Sequence, residues 1–309
     1  SLERDSDTKL IYPTPACFYG PLGGRYESYI HNVAASGVDA ELLEPEEARR
    51  RFPLFRFNDA ASVLVDRTAG IVAAAETLAA LARLCLRSGS EIREETRVLE
   101  IDDSKDPIRL QTDRGPIQTE RLIVTAGPWA SRLLPFLKLR LKPARQIVGY
   151  FQLSGDPEDF HVGRFPVWAS MGDGHYYGLP AFGCEGVKVA RHITWSVEDD
   201  PDEEIDVTPE AIETLEACIR AALVPPVERF VRAETCFYTN TATEDFVIDL
   251  HPDNRNIGIG AGFTGHGFKF GPLTGRILSE LVLHGKSSVP EFECARALFT
   301  VFGPDKTPD

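Results

Sequence analysis

No two cysteines in this chain are spaced as Cys-x-x-Cys, and no histidine or cysteine cluster has the spacing of a zinc site. The six cysteines (Cys17, Cys85, Cys184, Cys218, Cys236 and Cys294) are scattered, which argues against a disulfide-stapled scaffold or a structural metal framework. Five are expected to be small buried hydrophobes in a reducing compartment, with Cys236 as the exception. Basic charge is also short. Lysine and arginine number 33 against 47 aspartates and glutamates, for a net charge of −14 and a pI near 5.0. That balance speaks against nucleic acid or an anionic membrane as main partner, and Arg49, Arg50 and Arg51 read as a solvated helix end. Long apolar runs are missing too: residues 71–86 are interrupted by Glu76 and Arg83. No signal peptide is read, so a cytoplasmic location is expected.

What is present is a chain of 309 residues, 43% hydrophobic and 26% charged, long enough for a sizeable core and two domains. Residues 27–36 and 43–53 read as helices, the second with Pro45 in its first turn, acids early and arginines late. A helix is expected over 73–87, with Leu78, Leu81 and Cys85 on one face and Gly89 at its end. A strand near 97–101 and a hairpin around 112–115 follow. The apolar strand 122–126 then runs into Gly127-Pro128-Trp129, which opens a helix. A strand feeding a helix through small residues faces ligand in many α/β folds, or it is a plain helix start with Trp129 packed as core. Residues 143–232 look β-rich, with strands over 146–153, 166–170, 176–179 and 186–192 and turns at Gly172-Asp173-Gly174 and 183–186. Thr208 and Pro209 are good entry residues for a helix reaching about residue 224, and the acidic run 198–204 reads as a solvated loop.

The stretch 233–285 reads as three strands, a glycine loop and a helix. Residues 232–239 and 245–250 are β-branched and aromatic, and Asp253 to Asn256 has turn chemistry. Six glycines lie between Gly258 and Gly271; Leu273, Ile277, Leu278 and Leu281 then recur at helical spacing, with Gly285 as the stop. Gly260, Gly262 and Gly265 form a literal Gly-x-Gly-x-x-Gly with Glu280 about 20 residues on. The dinucleotide fingerprint also requires a second parallel strand after the helix. Lys286 onward offers only a short tail, so that reading is rejected.

Three motifs carry a better resemblance: Cys236-Phe237-Tyr238-Thr239, Phe246 through Pro252, and Ala261-Gly262-Phe263-Thr264-Gly265-His266-Gly267-Phe268-Lys269-Phe270. Together they resemble the C-terminal flavin-binding region of the monomeric sarcosine oxidase and N-methyltryptophan oxidase family, within the D-amino-acid-oxidase-like FAD-dependent oxidoreductases. The resemblance extends through nearly the whole chain. It implies an α/β (α+β) fold: an incomplete Rossmann-like FAD-binding domain over 57–142 and 233–285, and a β-rich substrate domain with a mixed sheet over 1–56 and 143–232. Residues 286–309 would be a C-terminal tail. The departure lies at the start. No strand, glycine turn and helix precede Leu10, and the early family segment that offers an arginine to the substrate carboxylate is unmatched. A missing N-terminal segment or subunit is therefore an expected partner.

By residue type alone, Lys188 between Val187 and Val189 is either an edge-strand charge or an ammonium aimed into a site. The resemblance makes it the lysine that promotes reaction of reduced flavin with oxygen. It likewise makes His192, His266, Tyr177 and Tyr238 active-site residues that orient the substrate, and Lys269 the residue that binds its carboxylate. Cofactor contacts would come from Ala126, Gly127, Trp129, Gly262, Phe263, Gly265, Gly267, Phe268 and Lys269. Cys236, by type a buried strand cysteine, matches the family cysteine bonded to the 8α-methyl of FAD. Leu179 and Trp168 are candidates to shape the substrate pocket; no metal is expected. The implied activity is FAD-dependent oxidation of a sarcosine-like amino acid to an imine, with hydride passing to the flavin and oxygen yielding hydrogen peroxide. The alternative is a non-catalytic or partner-dependent member of the family that does not bind FAD alone.

Overall fold

Residues rich in β-branched and aromatic side chains between 142 and 191 form the strands Lys142–Leu153, Val167–Ser170, Tyr176–Leu179 and Val187–Arg191. They belong to an eight-stranded mixed sheet in the computed structural model, which describes residues 1–135, 141–172, 174–192 and 199–300. Asp173 of the expected turn, Glu198 of the acidic run and the last nine residues of the tail lie outside the described residues. Across the sheet the order is Val227–Asn240, Lys142–Leu153, Val187–Arg191, Tyr176–Leu179, Val167–Ser170, Ala16–Gly20, Ser62–Asp66 and Ala40–Leu43. Only Ala16–Gly20 against Val167–Ser170 is identified as parallel among the registers described.

One face of this sheet is core. Phe151, Leu153, Val187, Val189 and Trp168 pack with Leu215, Cys218, Ile219 and Ala222 of the helix Pro209–Ala222. Thr208 caps that helix by accepting the Ala211 N–H, and Pro209 supplies a preset φ where no donor is needed. Gly149 admits the helix: a Cβ there would lie 2.9 Å from Leu215 Cδ1 and 2.6 Å from the Phe151 ring. The opposite face carries a smaller cluster of Val148, Tyr150 and Ala190 with Tyr177 against it.

The chain divides into two compact units. The first comprises Ser1–Ser88, Gln146–Ile193 and Ile205–Cys236; the second comprises Gly89–Arg145, Thr194–Glu204 and Phe237–Asp309. Residues 57–88, expected with the flavin domain, fall in the first unit because Ser62–Asp66 pairs with Ala16–Gly20 and Ala40–Leu43.

In the second unit, Val247–Leu250, Ile257–Ala261 and Leu122–Val124 make a three-stranded sheet, with the last pairing parallel. The helix Gly271–His284 covers the sheet with Ile277, Leu278, Leu281 and Val282. Gly258 and Gly260 allow that approach, since a Cβ would stand 2.7 Å from Val282 Cγ2 or 2.9 Å from Leu278 Cδ1. Gly285 ends the helix in the left-handed region, at φ 74°. A separate three-stranded meander, Val98–Asp102, Ile108–Thr112 and Gly115–Thr119, belongs to the same unit.

Three local expectations are corrected. The presumed tail contains a helix, Pro290–Phe299, which buries Phe292 beside Leu281 and Val282. The helix Ala74–Arg87 buries Thr77 and Ala80, small side chains that allow close packing, and leaves Leu78 and Cys85 exposed. Of the five cysteines expected inside, only Cys17 and Cys218 are buried; Cys184 is half-buried and Cys85 and Cys294 are exposed. Glu280, the would-be acidic partner of the glycine fingerprint, instead accepts hydrogen bonds from Arg276, Ser287 and Ser288 at the end of its helix.

A glycine packed against the core gives a stability test. A Cβ on Gly178 would lie 2.3 Å from Nε1 of Trp168, an indole with 0% exposure. Gly178→Ala is expected to destabilise the protein by about 1–3 kcal/mol through overpacking, read as a lowered urea midpoint; an unchanged midpoint would contradict this packing.

Candidate active site

Strand register builds the site in the first unit. Lys188 lies opposite Tyr150 on one neighbour and Leu179 on the other, and Ala190 lies opposite Val148 and Tyr177. Val187 and Val189 point into the core, so Lys188 and Ala190 share the other face. His192 lies one step past the strand and donates its backbone N–H to the His175 carbonyl at 2.6 Å. Lys188 is half-buried between two buried valines, and among the described residues no carboxylate lies within ion-pairing distance of its ammonium.

Along Val227–Asn240, Arg232, Glu234 and Cys236 are the exposed alternate positions. Tyr150 Oη donates to Glu234 Oε1 at 2.6 Å, and Arg232 Nη1 donates to Glu234 Oε2 at 2.6 Å. The Arg232 guanidinium also covers the Tyr150 ring at 4.0 Å from its centroid. The Tyr150 hydrogen bond, with help from Arg232, holds the Glu234 carboxyl below its ordinary range. Tyr150 is pushed up, first by burial and then by Glu234. Partial enclosure pushes the Cys236 thiol up, Lys188 pulls it down, and Glu234 pushes it up again. Sequence reasoning missed Tyr150 and Glu234. The signal available was the alternation Arg232-x-Glu234-x-Cys236, which places two charges on the side of the cysteine.

In the second unit, the glycine loop packs on the chain itself. Gly262 and Gly265 have φ of 65° and 76°, a region that favours glycine. A Cβ on Gly265 would lie 2.5 Å from the ring of buried Tyr238, one on Gly262 2.3 Å from Thr241, and one on Gly267 2.6 Å from Phe263. These three glycines are therefore required by packing, whatever ligand they face. Phe246 meets Phe263 and Phe270 edge-on at 5.1 and 5.9 Å. His266 is exposed, with its backbone N–H on the Phe263 carbonyl at 2.8 Å. Phe268 and Lys269 are exposed in the single turn Phe268–Phe270 that precedes the helix Gly271–His284. Loss of water around the Lys269 ammonium, 5.8 Å from the Phe270 ring centroid, lowers its pKa.

The second unit also holds a cavity of about 760 Å³ lined by Ala126, Gly127, Trp129, Arg97, Arg132 and Asp202. Gly127 has φ 53°, and nothing lies within 4 Å of where its Cβ would be. Trp129 is 38% exposed and lines this cavity; it is not core packing. The acidic run is not simply solvated either. Asp202 accepts from Trp129 Nε1 at 2.8 Å, Arg97 at 2.8 Å and Arg132 at 2.7 Å. Trp168, considered as a pocket residue, is wholly inside the core of the first unit, while Leu179 is half-buried opposite Lys188. Among the described residues, no cluster of His, Cys, Asp and Glu could hold a metal ion, and no helix is long and apolar enough to cross a membrane.

Comparison with known proteins agrees with this architecture. The family model for FAD dependent oxidoreductase matches residues 9–281. Monomeric sarcosine oxidase of Bacillus sp. (strain B-0618) is 31% identical over 293 residues, covering 93% of this chain and 75% of that protein. Peroxisomal sarcosine oxidase of Mus musculus is 34% identical over 295 residues, covering 91% of this chain and 74% of that protein. Among solved structures, the open form of NikD, an unusual amino acid oxidase essential for nikkomycin biosynthesis, shares the fold. Its TM-score is 0.79 at 23% identity, over 93% of this chain and 77% of that one.

The opposed charges beside Cys236 predict its reactivity. Removing a neighbouring carboxylate favours the thiolate, so Glu234→Gln should shift the pH midpoint of Cys236 alkylation by iodoacetamide downward. Removing the ammonium disfavours it, so Lys188→Gln should shift the midpoint upward. Peptide mapping of the alkylated protein reads both shifts, and equal midpoints in all three proteins would refute the arrangement.

Proposed function

The chain belongs to the family of FAD-dependent oxidoreductases, and from that premise we propose that it oxidises a sarcosine-like amino acid, an N-methyl or secondary amine, to the imine. The substrate loses two electrons and two protons, and oxygen takes up both to leave as hydrogen peroxide. The observation that carries this reading is the half-buried Lys188 ammonium, without an ion-pair partner among the described residues and held between Tyr150 and Leu179 on the face opposite the core.

The residues present fit a flavin dinucleotide. The cavity in the second unit has the volume of a cofactor-sized site, mixes apolar walls with two arginines, and opens at the side-chain-free Gly127. Ala126, Gly127 and Trp129 would hold the cofactor there, and Gly262, Phe263, Gly265, Gly267, Phe268 and Lys269 are the further candidates from the glycine loop. In the first unit, Cys236 is an exposed free thiol that Lys188 pulls toward the thiolate against enclosure and Glu234, and it is the proposed link. When bound, FAD supplies the two-electron acceptor chemistry that no side chain offers.

The protein's own part is position and charge. Lys188, held on the face opposite the core valines Val187 and Val189, places a fixed positive charge where oxygen gains negative charge. Lys269, exposed in the turn before the helix Gly271–His284, is a cation suited to the substrate carboxylate. Tyr177, His192, Tyr238 and His266 would orient the substrate and tune its amine toward the neutral form that oxidation needs. The six cysteines, all free, suit a reducing compartment and support a cytoplasmic location.

The test is peroxide formation from N-methyl amino acids by the full chain after incubation with FAD. Sarcosine or a bulkier N-methyl amino acid should yield peroxide. Lys188→Met should slow turnover with oxygen by roughly 10²-fold while changing turnover with a dye acceptor by only a few-fold. Absence of peroxide from any N-methyl amino acid with FAD-loaded protein, or equal losses with oxygen and dye, would overturn the reading.

A further inference from the structure

Three N–H donors from separate parts of the second unit converge on one carboxylate at the wall of the cavity. Arg97 comes from just before the strand Val98–Asp102, Trp129 from the turn after Leu122–Val124, and Arg132 from the short helix Ala130–Leu133. Their distances to Asp202 are 2.8, 2.8 and 2.7 Å. Arg132 spans two carboxylates, with its other terminal nitrogen 2.6 Å from Asp200 Oδ1. Arg132 thus offers both terminal nitrogens to anionic oxygens, and the same planar fork can serve the oxygens of a phosphate.

We propose that Arg97, Trp129 and Arg132 form a seat for a phosphate-bearing ligand, and that Asp202 occupies it as an internal substitute which the ligand must displace. The seat borders a cavity far larger than a carboxylate requires, about 760 Å³, so the remainder of a nucleotide-sized ligand has room beside it. Displacement is undemanding. The charged side chains involved are between 39% and 60% exposed, and ion pairs so open to water contribute little to stability. The acidic segment also has its own tether. The Arg145 backbone N–H donates to Asp199 at 2.7 Å, and its guanidinium donates to the carbonyls of Asp200 at 3.2 Å and Glu203 at 2.5 Å. Asp202 can therefore swing away while the segment stays attached. Hydrogen bonds from Trp129 and Arg97, with further help from Arg132, hold the Asp202 carboxyl below its ordinary range, so it competes as an anion at neutral pH.

The seat deepens the flavin reading by placing a dinucleotide's diphosphate at these residues, and it rests on that reading only for the ligand's identity. Calorimetric titration of the full chain with inorganic pyrophosphate, with no flavin present, tests it. Asp202→Asn should bind pyrophosphate about tenfold more tightly than the natural chain, as expected when weak exposed pairs stop competing. Arg132→Gln should lose most of the binding. Asp206→Asn, which removes the same charge at an exposed position outside the network, should change little. Equal affinities in the natural chain and Asp202→Asn would overturn the proposal, as would equal gains from Asp202→Asn and Asp206→Asn, or undiminished binding by Arg132→Gln. Competition by ADP would identify a nucleotide diphosphate as the ligand, whereas orthophosphate binding as tightly as pyrophosphate would identify a free phosphate; both support the seat. A chain that binds pyrophosphate in this pattern yet takes up no FAD would sink the oxidase reading and leave the seat standing.

Discussion

The two-residue period of the strands decides where chemistry can sit in the first unit. Phe151, Val187 and Val189 must be buried beneath the helix Pro209–Ala222, which fixes the register of the sheet's central strands. Once that face is core, Tyr150, Lys188 and Ala190 are held on the other, and a slip of one residue would exchange them for valines and phenylalanine. Arg232 and Glu234 meet Tyr150 on that face, and Cys236 follows them along the same alternation. The chemistry is a by-product of where the apolar residues had to go.

On that face, charge is set by a few contacts. Lys188 and Glu234 push the Cys236 thiol in opposite directions, and the stronger hold on Glu234 comes from Tyr150. In the second unit the pattern is different. There the arginines Arg97, Arg132 and Arg145 gather the acidic segment, in a chain whose net charge of −14 leaves few cations to spare. Three of its 33 basic residues are thus committed to a segment that composition alone marks as solvent-exposed.

Much of the fold was legible. Residues 176–179 form the strand expected between glycine-containing turns, and the Thr208-Pro209 entry gives the helix it predicts. No strand is read over Ala16–Gly20, a short segment that follows Pro13 and Pro15. The helix Pro290–Phe299 lies where a tail is expected, with Pro290 as its first residue, where a missing N–H costs no hydrogen bond. The acidic run was unreadable for another reason. A charge cluster has the same sequence whether it is solvated or paired, and Arg97 and Arg132 lie 105 and 70 residues from Asp202. Tyr150 and Glu234, 84 residues apart, were missed likewise, because only the sheet brings them together. The motif residues were named from resemblance. Packing by Thr241, Tyr238 and Phe263, invisible in the sequence, is what requires glycine at 262, 265 and 267.

The central claim is that this chain is a flavin enzyme whose cofactor is bound to Cys236. The visible spectrum of the protein, purified after incubation with FAD and then precipitated with acid, tests it most directly. Flavin absorbance that stays with the precipitate of the natural chain, and is washed out of Cys236→Ser, is the predicted result. A colourless precipitate from the natural chain would contradict the covalent link, and a protein that takes up no flavin at all would contradict the account of its chemistry.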